Sequence, residues 1–91
     1  MPEFEWDEEK NKSNQAKHNI SFEDVKGVFD DEDRIQYIGS KRRYGERRWK
    51  TVGSIFDVII TVIYTVRNTV FRIISARRAN KKEKRDYLEN K

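Results

Sequence analysis

The sequence predicts a single α+β domain: an antiparallel β-sheet with two N-terminal helices and one C-terminal helix. Three observations carry this expectation. The one long apolar run, Asp57–Arg78, is dense in β-branched residues and is broken once, at Arg67-Asn68, so it reads as strand, tight turn and strand. Upstream of it, Phe22, Val25, Val28 and Phe29 recur at helical spacing. Downstream, Asn80 and Glu83 form a capping-box pattern that opens a last helix. Helices segregated to the ends of a run of strands are the pattern of an α+β layer fold. No repeat and no Pro- or Gly-rich linker divides the chain, so residues 1–91 read as one domain.

Each element has a local reason. Phe4-Glu5-Trp6 alternates as a short edge strand. Asp7 is a good N-cap for a helix to His18, with Glu8 and Glu9 in its first turn and Lys17 and His18 in its last, as the helix dipole favours. This helix is almost without apolar residues, so its core contacts are expected from Trp6, Ala16 and a few long stems. Asn19 suits a left-handed helix end, and Ser21 caps the second helix, with Asp24 three residues on. Asp30–Asp33 reads as a solvated acidic turn, because it lacks the alternate spacing and glycine of a calcium loop. Arg34–Ile38 alternates as a strand ended by Gly39. Lys41–Arg48 reads as a basic loop, and Trp49–Ile55 as the next strand, with Trp49, Thr51 and Gly53 on one face. Phe56-Asp57 turns into the hairpin, and a final helix runs from about Lys81 to Glu89.

Composition narrows the function classes. The chain is 40% charged with a net charge of +4, and lysine and arginine gather between Lys41 and Arg85. A basic half suits a polyanionic partner or a solvated face. With no cysteine and one histidine, neither a disulfide framework nor a zinc site is expected, and a reducing cytoplasm fits. The first twenty residues lack the apolar stretch of a signal peptide. Ile55–Val66 is about 12 residues against the ~20 a spanning helix needs, so no membrane span is expected.

Three groups of residues are able to carry chemistry. His18 stands at a helix end, where a lone histidine is more often a cap than a catalyst. Glu46 lies beside Arg47 and Arg48, as a general base or as a surface ion pair. Arg67, Arg72, Arg77 and Arg78 hang on the hairpin, and guanidinium groups bind phosphate through paired hydrogen bonds. Strand parity limits this last group. In a regular strand Arg72 and Arg77 point to opposite faces unless a bulge intervenes or the strand ends first. No phosphate-cradling loop or nucleophile elbow is present. The residues alone leave open a non-catalytic basic module that binds nucleic acid or protein.

Three blocks in order, F-E-W-D-E-E-K-N-K-S-N-Q-A-K-H-N-I-S-F-E-D-V, Y-G-E-R-R-W and R-I-I-S-A-R-R-A-N-K-K-E-K-R-D-Y, resemble the BrnT family of type II toxins from Phe4 to Tyr87. The pattern carries over to Trp6, Asp7, Lys10, Asn14, Lys17, His18, Phe22, Glu46, Arg47, Arg72, Ser75, Ala76, Arg77 and Tyr87. Asn19 departs from the family's usual glycine. The resemblance implies a RelE-like fold and a small ribonuclease, and cleavage is expected to need no metal or other cofactor. It also implies a BrnA-like ribbon-helix-helix antitoxin, through which the complex meets operator DNA. On that reading His18, Glu46, Arg47, Arg72 and Arg77 are the catalytic candidates. Lys17, Arg67, Arg78 and Tyr87 are the candidate RNA contacts.

Overall fold

The computed structural model describes residues 3–43 and 46–91, with side chains outside residues 40–46. In chain order it runs β1 (Glu3–Glu5), α1 (Glu8–His18), α2 (Phe22–Val25), a 3₁₀ helix (Lys26–Asp30), β2 (Ile35–Arg43), β3 (Glu46–Ile55), β4 (Val58–Arg67), β5 (Val70–Arg78) and α3 (Lys81–Asn90). The strands form one sheet in the order β1-β5-β4-β3-β2. β2 to β5 pair antiparallel, while β1 lies parallel to β5. The sheet is therefore mixed, not antiparallel throughout.

The expected caps form. Asp7 accepts from the Glu9 amide and Ser21 from the Asp24 amide, while Asn19 closes α1 in the left-handed conformation at φ 57°. The Asn80–Glu83 capping box is complete. Several boundaries differ from expectation. β2 runs through Gly39 to Arg43, and the segment from Lys41 to Arg48, apart from Tyr44 and Gly45, which are outside the described residues, belongs to β2 and β3. Between the Ile38–Trp49 and Arg42–Arg47 pairs, β2 advances four residues against two on β3. Gly39 lies at this irregularity, where an added Cβ would fall 1.9 Å from the Arg48 carbonyl oxygen, so glycine marks close backbone approach and not a strand end. β4 also continues through Arg67, and the turn falls on Asn68-Thr69, with Asn68 at φ 55°.

One face of the sheet carries the main core. Phe22, Val25, Val28 and Phe29 pack on Ile60, Val62, Tyr64, Ile73 and Ala76. The Phe29 ring lies 5.1 Å from Tyr64 and 5.4 Å from Phe71, within the range of favourable edge-on contact. The opposite face is covered only in part. There Tyr87 and Ala79 join Val52, Ile35, Tyr37 and Ile59, which leaves Ile63, Arg72 and Ser75 half-buried on the β4–β5 side.

Helix α1 attaches in an unexpected way. Ala16 is exposed, and the residues α1 buries are Asn11 and Asn14. An amide side chain offers donor and acceptor together. Asn11 accepts from the Phe22 amide at 2.9 Å. Asn14 donates to the Ile20 carbonyl at 3.0 Å and accepts from the Ala76 amide at 3.1 Å. Among the described residues β1 pairs with β5 from Val70 to Arg72. Beyond that point Asn14 takes over as the partner of the uncovered edge.

Candidate active site

A bulge in β5 decides where the arginines point. Ile63 and Tyr64 are adjacent on β4, yet they pair with Ser75 and Ile73, so Ile74 is an extra residue. An extra residue reverses strand parity beyond it. Arg72 pairs with Thr65, Ser75 with Ile63 and Arg77 with Thr61, all of one parity on β4. Arg72 and Arg77 therefore share the partly open face, with Ser75 between them. The same face receives Arg48 and Lys50 from β3, paired with Thr65 and Ile63. Four residues of β4 separate the two arginine rows, about 13 Å at the rise of a strand.

Both arginines hold a carboxylate. Arg72 reaches Glu5 on β1 at 2.6 Å. Arg77 grips Glu83 of α3 with both terminal nitrogens, at 2.8 and 3.0 Å. Glu83 is only 3% exposed and collects three further donors: Lys50 at 2.9 Å, Thr61 at 2.9 Å and the Asn80 amide at 2.9 Å. Burial opposes its ionisation, but the hydrogen bonds from Arg77, Asn80, Lys50 and Thr61 outweigh it and hold the carboxyl far below the usual range. The bond to Glu83 in turn raises the pKa of Arg77. Two cations against one anion leave this cluster net positive. Arg77 keeps 38% of its side chain exposed, and Lys50 and Arg72 each keep 31%.

Lys17 and His18 lie in the exposed last turn of α1. Together with Lys10, Ser13, Asn14, Ile74 and Ser75 they line an open cleft of about 180 Å³. Ser75 belongs to both the cleft and the arginine face, so the bulge joins the two. The other expected residues are dispersed. Arg47 is exposed and alternates with Arg48, which turns it to the opposite side of the sheet. Arg67 is exposed at the end of β4. Arg78 pairs with Ile60 and faces away from Arg77. The side chain of Glu46 lies outside the described residues.

Tyr87, expected to meet RNA, is instead 2% exposed. Its hydroxyl donates to Asp31 at 2.5 Å, and burial together with this bond pushes its pKa up to about 12. It anchors α3, because a large ring with a satisfied hydroxyl is a core residue. Asp31 also accepts from the Ser54 amide at 2.8 Å and the Asp33 amide at 2.9 Å, so the acidic turn is a structural junction and not merely solvated. Burial acts to raise the Asp31 pKa, but these three bonds hold it below the usual range. Tyr37 behaves like Tyr87: burial and its bond to Asp86 push it up to about 12.

Sequence reasoning missed Arg48, Lys50 and Glu83 as members of this face. The alternation Arg48-Val52 through Lys50 was a usable signal for the first two. Glu83 was read only as a helix cap, and nothing local announces that it also binds a strand. Among the described residues no group of three or more His, Asp or Glu is arranged to hold a metal ion. None of the described helices is long and apolar enough to cross a membrane.

A search of curated proteins returned no match. A family model described as "Ribonuclease toxin, BrnT, of type II toxin-antitoxin system" matches residues 6–83, most of the chain and all of the strands that build the arginine face. This chain belongs to the BrnT family of ribonuclease toxins of type II toxin–antitoxin systems.

Proposed function

We propose that this chain is a metal-independent endoribonuclease that inhibits growth by cutting RNA in the cytoplasm. The observation that carries the reading is the bulge at Ile74, which turns Arg72 and Arg77 to one side of the sheet around Ser75. A phosphodiester lying over the Ile63–Ser75 row is within side-chain reach of Arg72 from one end, of Arg77 from the other and of Lys50 from the same row. The 2′-hydroxyl oxygen attacks the neighbouring phosphorus and the bond to the 5′-oxygen breaks. A base takes the hydroxyl proton, and an acid returns one to the leaving oxygen. The cations stabilise the extra charge of the phosphorane, a role in which loss of a single donor typically costs about 10²–10³ in rate. His18 and Glu46 are the proposed acid and base; Arg72 and Arg77 are the phosphate ligands. Lys17, beside His18 in the cleft at the bulge, contacts the strand as it leaves the site. Arg47 and Arg67 are outlying RNA contacts.

In this reading Glu5 stands in for substrate charge in the free protein. Arg72 exchanges Glu5 for phosphate, because an ion pair this open to water contributes little. Arg77 stays on Glu83 and presents its remaining surface. Neutralisation comes from a BrnA-like ribbon-helix-helix antitoxin, and operator DNA is met only through that complex. The test is the chemistry of the cut ends. Purified protein and an RNA oligonucleotide, with chelator present, should yield a 2′,3′-cyclic phosphate or its hydrolysed 3′-phosphate. A 3′-hydroxyl product rules this mechanism out. Binding without any cleavage favours the non-catalytic basic module.

A further inference from the structure

The β3–β4 turn joins an unfavourable backbone conformation to an exposed aromatic residue. Phe56 and Asp57 both adopt positive φ, at 50° and 63°. A turn of this kind favours Asn-Gly or Asp-Gly, and a bulky residue at positive φ is an outlier. Phe56 contributes little to the core in compensation, because it is 82% exposed. Unfavourable backbone geometry retained at an exposed residue points to a role outside the fold. Beside Phe56 lies a cleft of about 120 Å³, walled by Ile20, Ile55, Val58 and Ile60 and bordered by Asn19, Asp24 and Arg78. A neighbouring cleft shares Val58 and Arg78 and adds Asp57, Ile59 and Lys84. Arg78 thus stands between two clefts, on the side of the sheet away from Arg77.

We propose that Phe56, the adjoining apolar cleft and Arg78 form a docking surface for the antitoxin. The occupant is a protein segment that inserts one apolar side chain beside Phe56 and sets a carboxylate against Arg78. RNA fits poorly, since the walls of the cleft beside Phe56 are apolar. A second copy of the chain fits poorly, because it brings a net charge of +4 toward Arg78 and Lys84. A partner with acidic residues beside an apolar anchor complements both features, as interface cores built on an aromatic anchor and a charged rim do. The inference rests on the pairing of this toxin family with an antitoxin and is independent of the RNA chemistry proposed above.

The test measures affinity for the purified cognate antitoxin by calorimetry, with wild type, Phe56→Gly and Arg78→Glu. Glycine accepts positive φ without penalty, so Phe56→Gly should unfold at no lower temperature than wild type and inhibit growth as strongly. Its antitoxin affinity should fall at least tenfold, and that of Arg78→Glu should fall as well. Should Phe56→Gly lose its cooperative unfolding transition, Phe56→Asn, which also tolerates this conformation, is read in its place. Affinity within twofold of wild type for both variants overturns the proposal. So does a wild-type self-association that Phe56→Gly abolishes while antitoxin affinity stays unchanged. If wild type fails to cut RNA yet Phe56→Gly still loses the antitoxin, the docking surface stands and the ribonuclease chemistry falls.

Discussion

Glu83 is the residue on which α3, β3, β4 and β5 converge, through Lys50, Thr61 and Arg77. Removing one partner of a buried ion pair costs roughly 3–5 kcal/mol, because the remaining charges stay desolvated. Arg77 and Lys50 are partly open to water, so Glu83→Ala should fall at the lower end of that range in urea unfolding. The pH dependence follows from the direction of the shift. The folded carboxyl titrates below its unfolded value, so its contribution is complete above about pH 4.5 and is lost as pH falls toward the depressed folded value. Wild-type stability should decline below that pH, and Glu83→Ala should show a shallower acid limb. An equally steep limb in the variant would assign the acid sensitivity elsewhere. Asn14 invites a similar argument. Asn14→Ala strands the Ala76 amide and the Ile20 carbonyl, and buried unpaired groups cost about 1–3 kcal/mol each. A loss of about 2 kcal/mol or more is expected in the same assay, with faster hydrogen exchange at Ala76. Neither role was legible in the sequence. Asn and Glu in a charged helix look like solvated residues until a distant strand supplies their partners.

Among the elements, the capped ends were the legible part. Asp7, Asn19, Ser21 and the Asn80–Glu83 box act within four residues of themselves, and local hydrogen bonding settles them. The attachment of α1 was not legible, since apolar periodicity is blind to a helix that docks through amides. The bulge was foreseeable only as a question. Parity demanded either a bulge or an early strand end, and only pairing with β4 identifies Ile74 as the extra residue. Deleting Ile74 should therefore be severe. A one-residue slip turns every side chain on one side of it to the wrong face, forcing either Arg72 or Arg77 into the aromatic core. The deletion variant should show no cooperative thermal transition. A folded deletion variant with wild-type near-ultraviolet circular dichroism would contradict the role given to Ile74.

At the scale of the molecule, the two faces of the sheet divide the work. One is closed by the helices from the first third of the chain, around Phe22, Val25, Val28 and Phe29. The other is capped at one side by α3, and its remainder presents Arg48, Lys50, Arg72 and Arg77. The α+β class was readable because apolar spacing changes from helical to β-branched along the chain. The membership of the basic face was not, because it depends on register across three strands and on which half of the sheet α3 covers. The measurement that tests the account most directly is the single-turnover cleavage rate of Arg72→Ala. Among the described residues the ion-pair partner of Arg72 is a half-open carboxylate, so the variant should retain the wild-type unfolding midpoint and antitoxin affinity. Its cleavage rate should fall about 10²–10³-fold. Cleavage at the wild-type rate by a folded Arg72→Ala protein would contradict the claim that the bulge gathers arginines onto the scissile phosphate.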